Sequence, residues 1–144
     1  MSALGTEPEA ELSIGDVAEQ TGLSVHALRY YEREGLMLTR HIPRGTGGHR
    51  RYTSMDVKWL VLCNKLRASG MPLARIRRYA ELVREGPGNE QERLDLLQEH
   101  QARVEQQLAE LKECHRIITR KVGIYRQHLA DDSTQDLWNI TAQR

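Results

Sequence analysis

His26, Arg29, Tyr30 and Arg33 recur at i, i+3, i+4 and i+7, so on a helix they share one face. Two guanidiniums, a phenol and an imidazole on one face suit nucleic acid. Arginine forks and tyrosine hydroxyls bind phosphate, and residues near a helix N-terminus reach base edges in the major groove. The parts of an enzyme are missing. No nucleophile stands with a base and an orienting group, no glycine-rich phosphate cradle adjoins a strand, and no paired carboxylates suggest acid–base work, so catalysis is not expected. His100, His115 and His128 share no metal-ligand spacing, and two lone cysteines hold no cluster, so neither a metal nor another cofactor is expected.

The remaining reactive side chains are Cys63 and Cys114, the candidate sensing thiols. They lie far apart with no C-x-x-C pairing, which points to a reducing compartment and a cytoplasmic location. Cys63, among Trp59, Leu60, Val61 and Leu62, reads as a buried thiol, and Cys114 as one on a helix surface.

Short local signals lay out the elements that must position the basic face. Ser13 and Asp16 form a capping box that opens a first helix, with Ile14, Val17 and Ala18 on one side, and Gly22 stops it. Ser24 caps the second helix a few residues later, and helix, tight turn, helix in so short a span is the helix-turn-helix pattern. Val25, Leu28 and Tyr31 face inward there, opposite the basic face. Gly35 ends this helix. Residues 36–40 read as a strand, residues 43–48 as a flexible loop carrying Arg44, and residues 49–52 as a returning strand with Arg50 and Tyr52. Together they make a β-hairpin wing. Thr53 and Asp56 open a third helix that runs to Gly70, and after Pro72 a fourth is striped by Leu73, Ile76, Ala80 and Val83. Gly86, Pro87 and Gly88 break the chain, and Asn89 stands as a cap for a fifth helix.

Beyond that break the pattern becomes regular. Leu94, Leu97, Gln101, Val104, Leu108, Leu111, His115, Ile118, Val122, Tyr125 and Leu129 alternate three and four apart, the seam of a coiled coil. Such a helix, roughly 60 Å long, has too little head domain beside it to cover the seam, so a second copy must. The polar seam positions Gln101 and His115 either fix register or mark an opening in the dimer. The expected architecture is mainly α: an acidic disordered leader over residues 1–12, a winged helix-turn-helix domain with a small β-hairpin wing over residues 13–86, and a long helix over residues 89–130 forming an antiparallel coiled-coil dimer. Residues 131–144 read as a flexible tail, in which Leu137, Trp138 and Ile140 either move freely or dock as an apolar anchor.

Charge agrees once its distribution is considered. The chain of 144 residues carries a net charge of only +1. Between His26 and Arg78, however, the Arg and Lys residues far outnumber Glu32, Glu34 and Asp56, so this half suits a polyanion. With no Phe, the core is expected to be aliphatic. No apolar run approaches membrane-spanning length and no signal peptide opens the chain, so no membrane partner is expected.

The strings Ser13-Ile14-Gly15-Asp16-Val17-Ala18 and Gly22 through Leu28-Arg29-Tyr30-Tyr31-Glu32, then Gly35-Leu36 and Arg50-Arg51-Tyr52, closely resemble the MerR family of bacterial transcription regulators. The resemblance implies that Arg29 and Tyr30 contact the DNA backbone and neighbouring bases, that Ser24 and His26 start the recognition helix, and that Arg50 and Tyr52 are the wing's phosphate grips. Tyr31 reads as a core residue. The resemblance also implies a dimer on a palindromic promoter that bends and untwists an over-long spacer until RNA polymerase engages both promoter elements, a form of indirect readout. Metal-sensing members carry a Cys near the start of the dimer helix, and residues 86–93 have none. The segment from Leu66 to Leu73, with Ile76, Tyr79, Leu82, Lys121, Ile124 and Tyr125, is similar to the branch that answers aldehydes, electrophiles or thiol stress. That branch places its reactive Cys where this chain has Lys65, with Cys63 two residues upstream. Competing readings are an effector-independent architectural DNA-bending protein or repressor, and a coiled-coil protein scaffold.

Overall fold

The structure is a computed structural model, and it describes residues 11–39 and 51–138. Five helices run in order: α1 (Ile14–Thr21), α2 (Val25–Arg33), α3 (Ser54–Ala68), α4 (Leu73–Glu85) and α5 (Glu90–Ala130). The expected caps form. Ser13 and Asp16 exchange side-chain-to-backbone hydrogen bonds at 3.1 Å in each direction, and Thr53 and Asp56 repeat the device at the start of α3. Gly22 closes α1 with φ at +75°, a conformation that a side chain would strain.

Compact packing divides the chain into residues 1–101 and 102–144. In the first unit α1 packs on α2 and α3, and α3 packs on α4. Val17, Leu28, Leu36, Met37, Leu60, Cys63, Ile76 and Ala80 are buried at its centre. The core is not purely aliphatic: Tyr31, Tyr52 and Trp59 join it, so the missing Phe is replaced by rings with a polar handle. The opening turns of α5 belong to this unit, since Leu96 is buried in the same core, Leu97 packs against it, and His100 is buried with Nε2 2.8 Å from Ser69 Oγ. The Asn89 side chain, expected as a cap, is engaged with other partners. Its amide donates to the Leu82 carbonyl while its oxygen accepts from Arg93, whose guanidinium also donates to the carbonyls of Leu82 and Gly86.

Two expectations change around the wing. Residues 36–39 bend where a strand was expected, because side chains take their carbonyls away from any ladder. Trp59 Nε1 donates to the Leu36 oxygen at 2.6 Å, and Arg84 donates to those of Gly35 and Met37 at 3.0 and 2.5 Å. Tyr52 pairs with Leu12 in an antiparallel bridge, two hydrogen bonds of 2.8 Å, so the end of the expected leader is fastened to the head. Residues 40–50, with Arg44 and Arg50, lie outside the described residues, as do residues 1–10 and the tail from residue 139 with Ile140.

The second unit is the rest of α5 and the chain after it. Leu108, Leu111, Ile118, Val122 and Leu129 are all exposed. After Ala130 the chain turns through Asp132 at φ 51°, and Lys121 Nζ lies 4.2 Å from the centre of the Trp138 ring. The tail thus reaches back to α5 through a cation–π contact, while Trp138 stays 63% exposed.

Candidate nucleic-acid interface

α2 is oriented by its apolar side. Leu28 and Tyr31 are each 1% exposed, which turns His26, Arg29 and Arg33 to solvent. Ser24 fixes the start of the helix, its hydroxyl accepting from the Ala27 N–H at 3.0 Å, and is itself exposed. The exit is fixed from outside. Leu36 N–H returns to the Tyr31 carbonyl at 2.9 Å, and Arg77 Nε holds the Glu34 carbonyl at 3.0 Å beside the grips of Arg84 and Trp59 on the next three residues. Trp59 is in turn stacked on Tyr79, ring centres 5.3 Å apart.

Tyr30 is half-buried between the two sides of α2. Its ring meets Tyr31 edge-on at 6.4 Å, and two guanidiniums lie against it, Arg33 from α2 and Arg67 from α3, each 5.7 Å from the ring centre. Arg67 was only one of many basic residues in the sequence. Its approach to α2 is a tertiary contact between separate helices, which no local spacing signals.

The basic half of the chain separates into two sets. Arg75 pairs with Glu99 and Arg51 with Glu11. Arg78 reaches Glu92 at 2.9 Å, Glu81 at 3.3 Å and Glu85 at 3.8 Å, and the hydrogen bonds it donates to Glu92 and Glu81 raise its pKa further. Arg77 and Arg84 hold backbone carbonyls. None of the described ion pairs involves Arg29, Arg33 or Arg67. Among the described residues, then, fewer arginines are left outside such contacts than the sequence count suggested, and Arg29, Arg33 and Arg67 lie on α2 and the last turn of α3, with Lys58 and Lys65 also exposed on α3.

Of the remaining expected site residues, Tyr52 differs most: its side chain is 1% exposed in the core, where a phosphate grip needs an accessible hydroxyl. Burial also pushes the Cys63 thiol up to about 12, whereas Cys114 is exposed. Among the described residues no group of three His, Cys, Asp or Glu could hold a metal. On α5 the expected seam splits. Leu97 packs on the head, Val104 is half-buried, and Leu94, Leu108, Leu111, His115, Ile118, Val122 and Tyr125 are exposed. The last turns carry a shallow apolar groove of about 460 Å³ lined by Ile118, Val122, Tyr125 and Leu129, among others. No described helix is long and apolar enough to cross a membrane.

Comparison with known proteins places these features beside two family profiles, a relative and two solved structures. The profile of the MerR HTH family regulatory proteins matches residues 12–82, and that described as MerR, DNA binding matches residues 57–120. An uncharacterized HTH-type transcriptional regulator of Haemophilus influenzae is 36% identical over 110 residues, covering 76% of this chain and 80% of that protein. Among solved structures, that of HiNmlR, a MerR family regulator lacking the sensor domain, bound to promoter DNA, is similar with TM-score 0.75 and 34% identity over 86% of this chain and 97% of the other. A putative MerR family transcriptional regulator from Listeria monocytogenes is similar at TM-score 0.76 and 27% identity, over 84% and 90% of the two chains.

Proposed function

The chain belongs to the MerR family of HTH transcription regulators, DNA-binding proteins and not enzymes, and from that premise we propose that it binds a palindromic promoter site as a homodimer and distorts the spacer for RNA polymerase. The observation that carries this reading is the α2 face: His26, Arg29 and Arg33 stand in solvent beside Tyr30, on a helix whose start and exit are both held rigidly. A preordered face meets the duplex with little ordering left to do. Ser24, His26, Arg29, Tyr30 and Arg33 make the α2 contacts, and the wing arginines Arg44 and Arg50 add phosphate contacts. Tyr52 supports the wing from the core.

The exposed apolar side chains of α5 from Leu108 to Leu129 support an antiparallel coiled coil with a second copy, which sets two heads at the spacing of two half-sites. Leu94, Val104, Leu111, His115, Ile118, Val122 and Tyr125 are the seam residues of that interface. Leu97 serves the head as well.

The chemistry of the thiols narrows the effector. Burial keeps the Cys63 thiol neutral and out of reach, so Cys63 is a poor target for an aldehyde or other electrophile and the accessible Cys114 carries any thiol response. The buried state of Cys63 also favours the second reading, an architectural DNA-bending protein or repressor that needs no effector.

The test is binding to promoter DNA by fluorescence anisotropy across a salt series, with wild type beside Arg29→Ala. Tight, salt-dependent binding that falls at least tenfold in the variant is expected. Equal binding by both proteins would remove α2 from the interface. A footprint without enhanced cleavage at the centre of the site would remove spacer distortion.

A further inference from the structure

We propose that Arg67, at the C-terminal turn of α3, is a positioning residue for DNA binding that acts through Tyr30. The inference rests on α2 as the DNA-facing helix and extends that surface onto a second helix. A tyrosine on a helix surface ordinarily samples several side-chain rotamers. Here the ring is bounded on three approaches: its edge contact with Tyr31 at 6.4 Å, Arg33 from its own helix at 5.7 Å and Arg67 from α3 at 5.7 Å. Arg33 lies one turn along the same helix and moves with it. Arg67 alone among these comes from a separate element, so it adds a hold on the outer part of the ring to the packing of Tyr30 against the core.

Arginine suits the task. Its guanidinium is planar, weakly hydrated and charged at every physiological pH, and it stacks on aromatic faces without giving up hydrogen-bonding capacity at its edges. None of the described ion pairs draws Arg67 away from the ring. The turn that carries it is itself fixed: Ser69 Oγ donates to the Lys65 carbonyl at 2.7 Å and lies 2.8 Å from Nε2 of the buried His100. Arg67 therefore projects from a rigid base, and the ordering of Tyr30 is complete before DNA arrives.

The experiment is a double-mutant cycle for binding to one promoter duplex, with Arg67→Ala, Tyr30→Ala and the pair, and Tyr30→Leu as the substitution that keeps apolar packing against the core. Arg67→Ala is expected to weaken binding about three- to tenfold in the wild-type background and to have little effect once the ring is gone. In the free protein the Tyr30 ring resonances shift on Arg67→Ala while those of Tyr79 stay in place. Additive losses, or no loss from Arg67→Ala while Arg29→Ala still abolishes binding, would overturn the inference and leave the α2 interface standing. No loss from Arg29→Ala either would overturn both.

Discussion

Arg84 holds two carbonyls with one guanidinium, and both belong to the bend that leaves α2. Charge-assisted bonds of this kind are worth about 1.5–3 kcal/mol, and their removal strands half-buried oxygens. Arg84→Ala is expected to lower unfolding free energy by about 2 kcal/mol in urea titrations and to weaken DNA binding, although Arg84 itself is not one of the proposed DNA contacts. Cys63 has a different signature. Its raised pKa means the fold favours the neutral thiol, so that contribution is complete below the ordinary value of 9.0 and is lost as pH climbs through about 12. Wild type should lose stability over that alkaline window while Cys63→Ala lacks the slope, and at pH 8 a thiol reagent should label Cys114 in the native protein and leave Cys63 intact. The burial of Cys63 was legible in the sequence, because on a helix it falls one turn from Trp59 and Leu60 and shares their inward side, while Val61 and Leu62 face outward. The core position of Tyr52 was not, since its neighbours Arg51 and Thr53 are polar and its bridge partner, Leu12, lies far back in the chain.

Helix starts were legible because their signals are local. Ser13 with Asp16, and Thr53 with Asp56, need only three residues to declare a cap. The bend after α2 was not, since the side chains that capture its carbonyls sit on α3 and α4. α5 is the intermediate case. Its heptads are continuous in sequence, yet periodicity reports only that a face is apolar and not what covers it. In the structure Leu96, Leu97 and His100 serve the head, and the stripe from Leu108 onward is exposed. That stripe yields a prediction for the element. Leu111→Arg or Ile118→Asp introduces a charge into the proposed seam and should shift sedimentation from dimer to monomer at micromolar concentration, with unchanged thermal unfolding of the head. A dimer that persists in both variants would place the contact elsewhere on the chain.

For the whole molecule, a net charge of +1 conceals a division of labour among cations. Arg75, Arg77, Arg78 and Arg84 are engaged within the fold, while Arg29, Arg33 and Arg67 stand at the α2 surface. Salt dependence reads this directly. Each phosphate contact contributes about 0.9 to the slope of log affinity against log salt. Arg29→Ala should therefore flatten the slope by about one per head, whereas Arg78→Ala, which removes a cation already matched by Glu81, Glu85 and Glu92, should leave it unchanged. The held exit of α2 carries a consequence for how such a protein diversifies. The side chains that set the pose of the helix, Trp59, Arg77 and Arg84, are none of those exposed on its outer face. Selection on operator sequence and selection on foldability thus act on separate residues, so a library randomised at His26 and Arg29 should stay folded while exploring new DNA sites.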